Sequence, residues 1–182
     1  MKKIFMTSVL IVAMGCAPWV RVGGLYKSDA HQYTVHLPDG WMRWNRGDNV
    51  LITRDGVELQ QIVLLRWAID EPLKHTKKKL SQEMLPFEIA EVILDDIATD
   101  REVLDFRLVE NKPAKIGGES GFRVVFHFKT KDGLRLTSVY YGCIKDNWFY
   151  GIRYTAASRY YFDKDLKTFE KMVESFQWVK TG

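Results

Sequence analysis

Apolar and polar residues alternate along much of the chain, which predicts strands. From Gln32 to Leu37, Tyr33, Val35 and Leu37 share one face. Pro38-Asp39-Gly40 then supplies turn chemistry, and Trp41 follows. Asn49 to Thr53 and Val57 to Ala68 flank Arg54-Asp55-Gly56 and predict a hairpin. The period of two returns at Val103, with Leu104, Phe106 and Leu108 alternating. Pro113 to Gly121 reads as a glycine-rich bend, and Phe122, Val124, Phe126 and Phe128 mark a strand after it. Lys131-Asp132-Gly133 is a hairpin turn signal. Leu134 to Ile144 and Trp148 to Thr155 complete the β pattern, joined at Lys145-Asp146-Asn147.

Three stretches carry helical spacing instead. Leu73, Leu80 and Met84 fall on one helical face, with Lys77, Lys78 and Lys79 outside. That lysine run suits a solvated face or, as the sharper alternative, a lipid-headgroup contact. A second helix is expected from Phe87 to Ala98, with Phe87, Ala90, Val92, Ile93 and Ile97 inward and Pro86 in its first turn. The last runs from Asp163 to Phe176 and buries Leu166, Phe169, Met172, Val173 and Phe176. Asp163 is its expected N-cap, and Asp165 complements the dipole at that end. Consecutive apolar residues such as Val139, Tyr140 and Tyr141 need cover on both faces of a sheet. The expected fold is therefore α+β, an α/β/α sandwich around a central antiparallel sheet.

The first residues follow a different logic. Met1-Lys2-Lys3 is a short cationic start, and Ile4 to Met14 is apolar except for Thr7 and Ser8. That run is shorter than the about 20 residues a membrane-spanning helix needs. It fits a secretory signal. Ala13-Met14-Gly15-Cys16 resembles the bacterial lipobox, which implies cleavage before Cys16 and lipid attachment to it, with acylation (palmitate or a similar chain) of the new amine. The competing reading is a plain secretory signal with a chance cysteine. The expected division is residues 1–15 as signal peptide, 16–28 as a lipidated tether and 29–182 as one globular domain. Twelve tether residues reach about 40 Å when extended. Trp19, Val20 and Val22 either dip into the membrane interface or pack on the domain. Ala17 lacks the Asp that retains some lipoproteins at the inner membrane, which favours the outer membrane of a bacterial envelope.

Composition narrows the function. The chain has 182 residues, 46% hydrophobic and 27% charged, which suits one folded domain. Loss of Lys2 and Lys3 leaves 25 basic against 23 acidic residues, so the mature net charge is only +2. Nucleic acid is not an expected partner at that charge. With Cys16 acylated, Cys143 has no partner for an intramolecular disulfide and reads as a buried small hydrophobe.

The mature domain is similar to the PsbP/Mog1-like family. Three stretches carry the resemblance: Tyr33 to Trp41, a strand ending in Pro38-Asp39-Gly40-Trp41; Pro113 to Phe122, leading into a strand; and Tyr154 to Phe176, where Tyr154-Thr155-Ala156 precedes an aromatic cluster and a helix ending Glu174-Ser175-Phe176. The resemblance spans residues 32–179. It implies the sandwich fold and an accessory or binding role beside larger assemblies. It carries no catalytic motif and no ligand set onto these residues.

The chemistry-bearing motifs are few. HExxH, CxxC, GxGxxG and Walker patterns are missing, and Gly117-Gly118-Glu119-Ser120-Gly121 lacks the spacing of a nucleophile elbow. His31, His36, His75 and His127 are not at metal-ligand spacing. Asp95-Asp96 and Asp163/Asp165 read as helix-end charges. Tyrosines crowd the C-terminal third with arginines between them, which makes Arg153, Tyr154, Arg159, Tyr160 and Tyr161 the candidate partner surface. The same tyrosines could simply be core. The expected function is a non-enzymatic binding or accessory lipoprotein, without a cofactor, held on a membrane through Cys16 and serving a protein partner. The alternative is a carrier or sensor of a small apolar ligand in an aromatic-lined pocket.

Overall fold

Every alternating segment named above folds into a strand in the computed structural model, which describes residues 18–179. In chain order the elements are β1 (Trp19–Ser28), β2 (Tyr33–Trp44), β3 (Val50–Thr53), β4 (Gln60–Ala68), α1 (Pro86–Ala98), β5 (Leu104–Ile116), β6 (Glu119–Lys129), β7 (Arg135–Lys145), β8 (Trp148–Ala157), α2 (Tyr161–Glu174) and β9 (Gln177–Trp178). The strands form one sheet in the order β1-β2-β3-β4-β8-β7-β6-β5, with β9 beside β2. The pairings are antiparallel.

Each face of the sheet carries a core. Trp41, Ile52, Ile62, Ile152 and Tyr154 pack with Phe169, Met172 and Val173 of α2 on one side. Phe122, Val124, Phe126, Tyr140 and Phe149 pack with Ile89 and Ile93 of α1 on the other. β7 lies between the two cores and is buried without a break from Leu136 to Cys143. This is the α/β/α sandwich that the doubly apolar strands require. Phe169, Met172 and Val173 of α2 fall on one helical face and are buried, as is Phe176 just beyond its end. Each contributes on the order of 2 kcal/mol by leaving water. Ser175 ends the helix: its hydroxyl donates to the Met172 carbonyl at 2.7 Å and accepts from the His36 N–H at 2.9 Å. α1 opens with Pro86, and the Glu88 carboxylate accepts from the Leu85 N–H at 2.7 Å.

The expected boundaries shift where tertiary contacts override local pattern. Residues 19–28, expected within the tether, form β1 and pair with β2 from Trp19↔Trp44 to Ser28↔Tyr33. Trp19, Val20 and Val22 are therefore part of the sheet, and Val22 packs on the α2-side core. Pro38-Asp39-Gly40 does not end its strand. Val22 pairs with Trp41 and Gly24 with Leu37, so three residues bulge opposite Gly23. Gly40 takes φ +77°, and a Cβ on Gly23 would lie 2.2 Å from the Asp39 carboxylate. Pro113 to Ile116 extend β5, and only Gly117-Gly118 turn, because Ile116 pairs directly with Glu119. α2 begins at Tyr161, so Asp163 lies in its first turn instead of capping it. Phe87 stands 52% exposed, and Ile89 and Leu94 are buried on α1.

The helix expected around Leu73 to Met84 does not form. Leu73 and Leu80 are both buried in the α1-side core, but the chain between them loops out and Lys77 takes φ +61°. Asp96 decides this conformation. One carboxylate oxygen accepts the N–H groups of His75 and Thr76, each at 2.8 Å, and the Thr76 hydroxyl at 3.0 Å. Partial burial opposes its ionisation, but those donors outweigh the burial and hold the carboxyl below its ordinary value. Asp96→Ala is expected to cost about 1–3 kcal/mol in urea unfolding. The sign with pH follows. The folded pKa lies below the unfolded value of about 3.9, so the contribution is complete above that pH and fades as pH falls toward the folded value. The stability difference between wild type and Asp96→Ala should therefore narrow as pH falls through the unfolded carboxyl value of about 3.9 and below, which paired unfolding curves would check.

Candidate partner-binding surface

The two helices leave part of the sheet bare. α2 packs on β2, β4 and β8. On the opposite face α1 packs on β5, β6 and β7, and the loop with Leu73 and Leu80 joins Leu65, Trp67 and Phe149. Among the described residues, no helix covers β1 to β3 on that face. Alternation and register place Trp19 beside Trp44, Arg21 beside Met42 and Leu51 beside Val63 there, opposite in parity to the buried Trp41, Val50, Ile52 and Ile62. Arg153 of β8 shares the face, its guanidinium 5.8 Å from the Tyr140 ring. An open groove of about 670 Å³ runs along one end, with Trp19, Trp44, Leu51, Leu134 and Leu136 as its apolar wall and Glu58 and Asp132 on its polar rim.

The start of α2 lies at the same end, because Ala157 hydrogen-bonds to Leu59 and Ser158 to Arg135. Arg159 and Tyr160 are exposed there, and Tyr160 packs edge-on against Tyr161 at 5.2 Å. A polar network fixes this end of α2 to the β3–β4 turn. Lys164 pairs with Asp55 at 2.7 Å, and that bond, aided by Arg54, holds the Asp55 carboxyl below its usual range. Asp165 is only 2% exposed. It pairs with Arg54 at 2.8 Å and accepts from the amide of Gln60, which is fully buried. Asp165 is thus a buried structural link and not the solvent-facing helix-end charge that its position suggested.

The five candidate surface residues separate. Tyr154 is fully buried, and its hydroxyl donates to the Tyr161 carbonyl at 2.7 Å. Burial pushes its pKa up. Tyr154 is therefore core, as are Tyr140, Tyr141 and Tyr150. Tyr161 is half-buried against the α2-side core. Arg159 and Tyr160 remain on the surface, and Arg153 lies on the bare sheet face. Cys16 lies outside the described residues. The residues that sequence reasoning missed are Met42, Trp44, Leu51 and Val63. A signal for them existed: apolar residues occur on both faces of β2 to β4.

Cys143 is fully buried, and burial pushes its thiol up to about 12. Its thiolate is not available near neutral pH. Among the described residues, no group of three or more His, Cys, Asp or Glu side chains is arranged to hold a metal ion.

A scan against family models and a search of curated sequences find no match. Solved structures do match. Cyanobacterial PsbP from Synechocystis sp. PCC 6803 superposes with a TM-score of 0.62 at 12% identity, over 91% of this chain and 95% of that one. The Ran-binding protein Mog1p of Saccharomyces cerevisiae follows at 0.59 and 8% identity, over 88% and 97%. The chain has the PsbP/Mog1-like fold. LpqN of Mycobacterium tuberculosis, a protein involved in cell envelope biogenesis, shares the PsbP/Mog1-like fold with it at 0.55 and 13% identity, over 89% and 91%. Identities this low establish the fold alone.

Proposed function

We propose that the chain is an exported, lipid-anchored envelope protein that acts as a non-enzymatic accessory module, presenting the bare half of its sheet to a protein partner at the membrane. One observation carries this reading: Met42, Leu51 and Val63 share a sheet face that no helix of the described chain covers. Flat apolar surface rimmed by polar groups suits a protein partner. The lipobox resemblance at Cys16 and the fold shared with Ran-binding Mog1p and with LpqN support the same reading. A small apolar ligand fits less well, because the aromatic-lined groove is open along its length.

The test is crosslinking in intact membranes followed by recovery of the tagged chain. Leu51→Glu combined with Val63→Glu should reduce partner recovery by about tenfold or more, since one lost hot spot of 1.4 kcal/mol suffices. Lys167→Glu, on the exposed side of α2, should leave recovery unchanged. Recovery of the wild-type chain always alone would contradict the proposal.

A further inference from the structure

The bare face ends in a corner with its own character. Trp19 and Trp44 are the last cross-strand pair of β1 and β2, with ring centroids 5.1 Å apart in an edge-to-face contact. The pairing continues one step further, because the Asn45 N–H donates to the Pro18 carbonyl at 2.9 Å. This corner is therefore held in place up to Pro18. Arg46 lies 5.8 Å from the Trp44 ring, Arg21 stands beside Met42 on the same face, and Arg43 extends from the next register position toward Tyr26. Asp48 is the acidic residue of the adjoining loop. Glu58 and Asp132 also line the groove. The corner is thus aromatic and basic, with Arg21 and Arg46 beside Trp19 and Trp44.

Position gives this chemistry a meaning. Only Ala17 separates Pro18 from Cys16, so an acylated Cys16 cannot stand more than about 7 Å from Pro18. Tryptophan collects at the headgroup level of bilayers, and arginine beside it meets anionic phospholipid. We propose that the Trp19–Trp44 corner, with Arg21 and Arg46, is a membrane-seating surface that docks into the headgroup layer of an anionic phospholipid bilayer. This rests on the anchored reading of Cys16. It adds an orientation: β1 and β2 meet the membrane at this corner.

The experiment uses the full chain, purified in its acylated form and reconstituted into phosphatidylethanolamine vesicles that contain phosphatidylglycerol and a phospholipid brominated near the headgroup end of its chains. Intact mass reports acylation, and tryptophan emission reports contact with bromine. The expected result is partial quenching in the wild type that disappears in the Trp19→Phe/Trp44→Phe double variant, with acyl mass and near-ultraviolet dichroism of the remaining tryptophans retained. Arg21→Glu/Arg46→Glu, which keeps both indoles, should show quenching at least halved in the same vesicles. An acylated chain with no quenching would overturn the seating surface while the anchor stands. Quenching that persists in the double Phe variant would overturn it too, because another surface would then meet the lipid. Unchanged quenching in the arginine variant would overturn the role of charge. A chain without acyl mass would remove the anchor and this inference together.

Discussion

If the proposed anchoring holds, replacing Cys16 with alanine should abolish fatty-acid labelling of the chain and leave a precursor that keeps residues 1–15. The expected effect is all-or-none, because in the proposed anchoring the Cys16 thiol takes the lipid and its neighbours cannot substitute. A singly acylated chain binds membranes only marginally, whereas two or more chains anchor stably at about 0.8 kcal/mol per buried methylene. Metabolic labelling with a tagged fatty acid, read beside intact mass, checks it. Continued labelling of the Cys16→Ala chain would show that the lipobox resemblance was fortuitous.

Asp165→Ala is expected to destabilise the fold by about 3 kcal/mol, the largest effect of any single polar substitution considered. Asp165 is 2% exposed, and its removal leaves the fully buried Gln60 amide without its partner and Arg54 without its closest carboxylate. The full cost of a broken buried pair is about 3–5 kcal/mol. A value at the lower end applies because the Arg54 side chain is 33% exposed and regains water. Asp165→Asn keeps an acceptor for Gln60 but loses the charge, so it should fall between wild type and alanine. Urea unfolding of the three chains checks the order.

Asp165 also shows where the sequence stopped being informative. Its place near the start of a helix suggested a solvated dipole partner, and nothing within the helix distinguishes that role from a buried link to Gln60, 105 residues away. The same holds for Asp96, whose three hydrogen bonds reach back to residues 75 and 76. Periodicity reports which face of an element is apolar, and it located β6, α1 and α2 because their apolar stripes are long. It failed between Leu73 and Leu80, where two apolar anchors with a polar excursion mimic helical spacing. It failed again at residues 19–28, where β1 has an exposed edge and a bulge instead of clean alternation. In the candidate surface, tyrosine and arginine composition pointed to the C-terminal third, yet Tyr154 is core. The bare face became visible only when the two helices could be placed over particular strands.

Docking through the uncovered half of the sheet has a sidedness that one measurement reads directly. A photo-crosslinking residue placed at Val63, on the bare sheet face, should capture a partner in intact membranes, and the same residue at Lys167, on the exposed side of α2, should not. Capture from Lys167 alone, or equally from both positions, would contradict the claim that the uncovered half of the sheet is the docking surface.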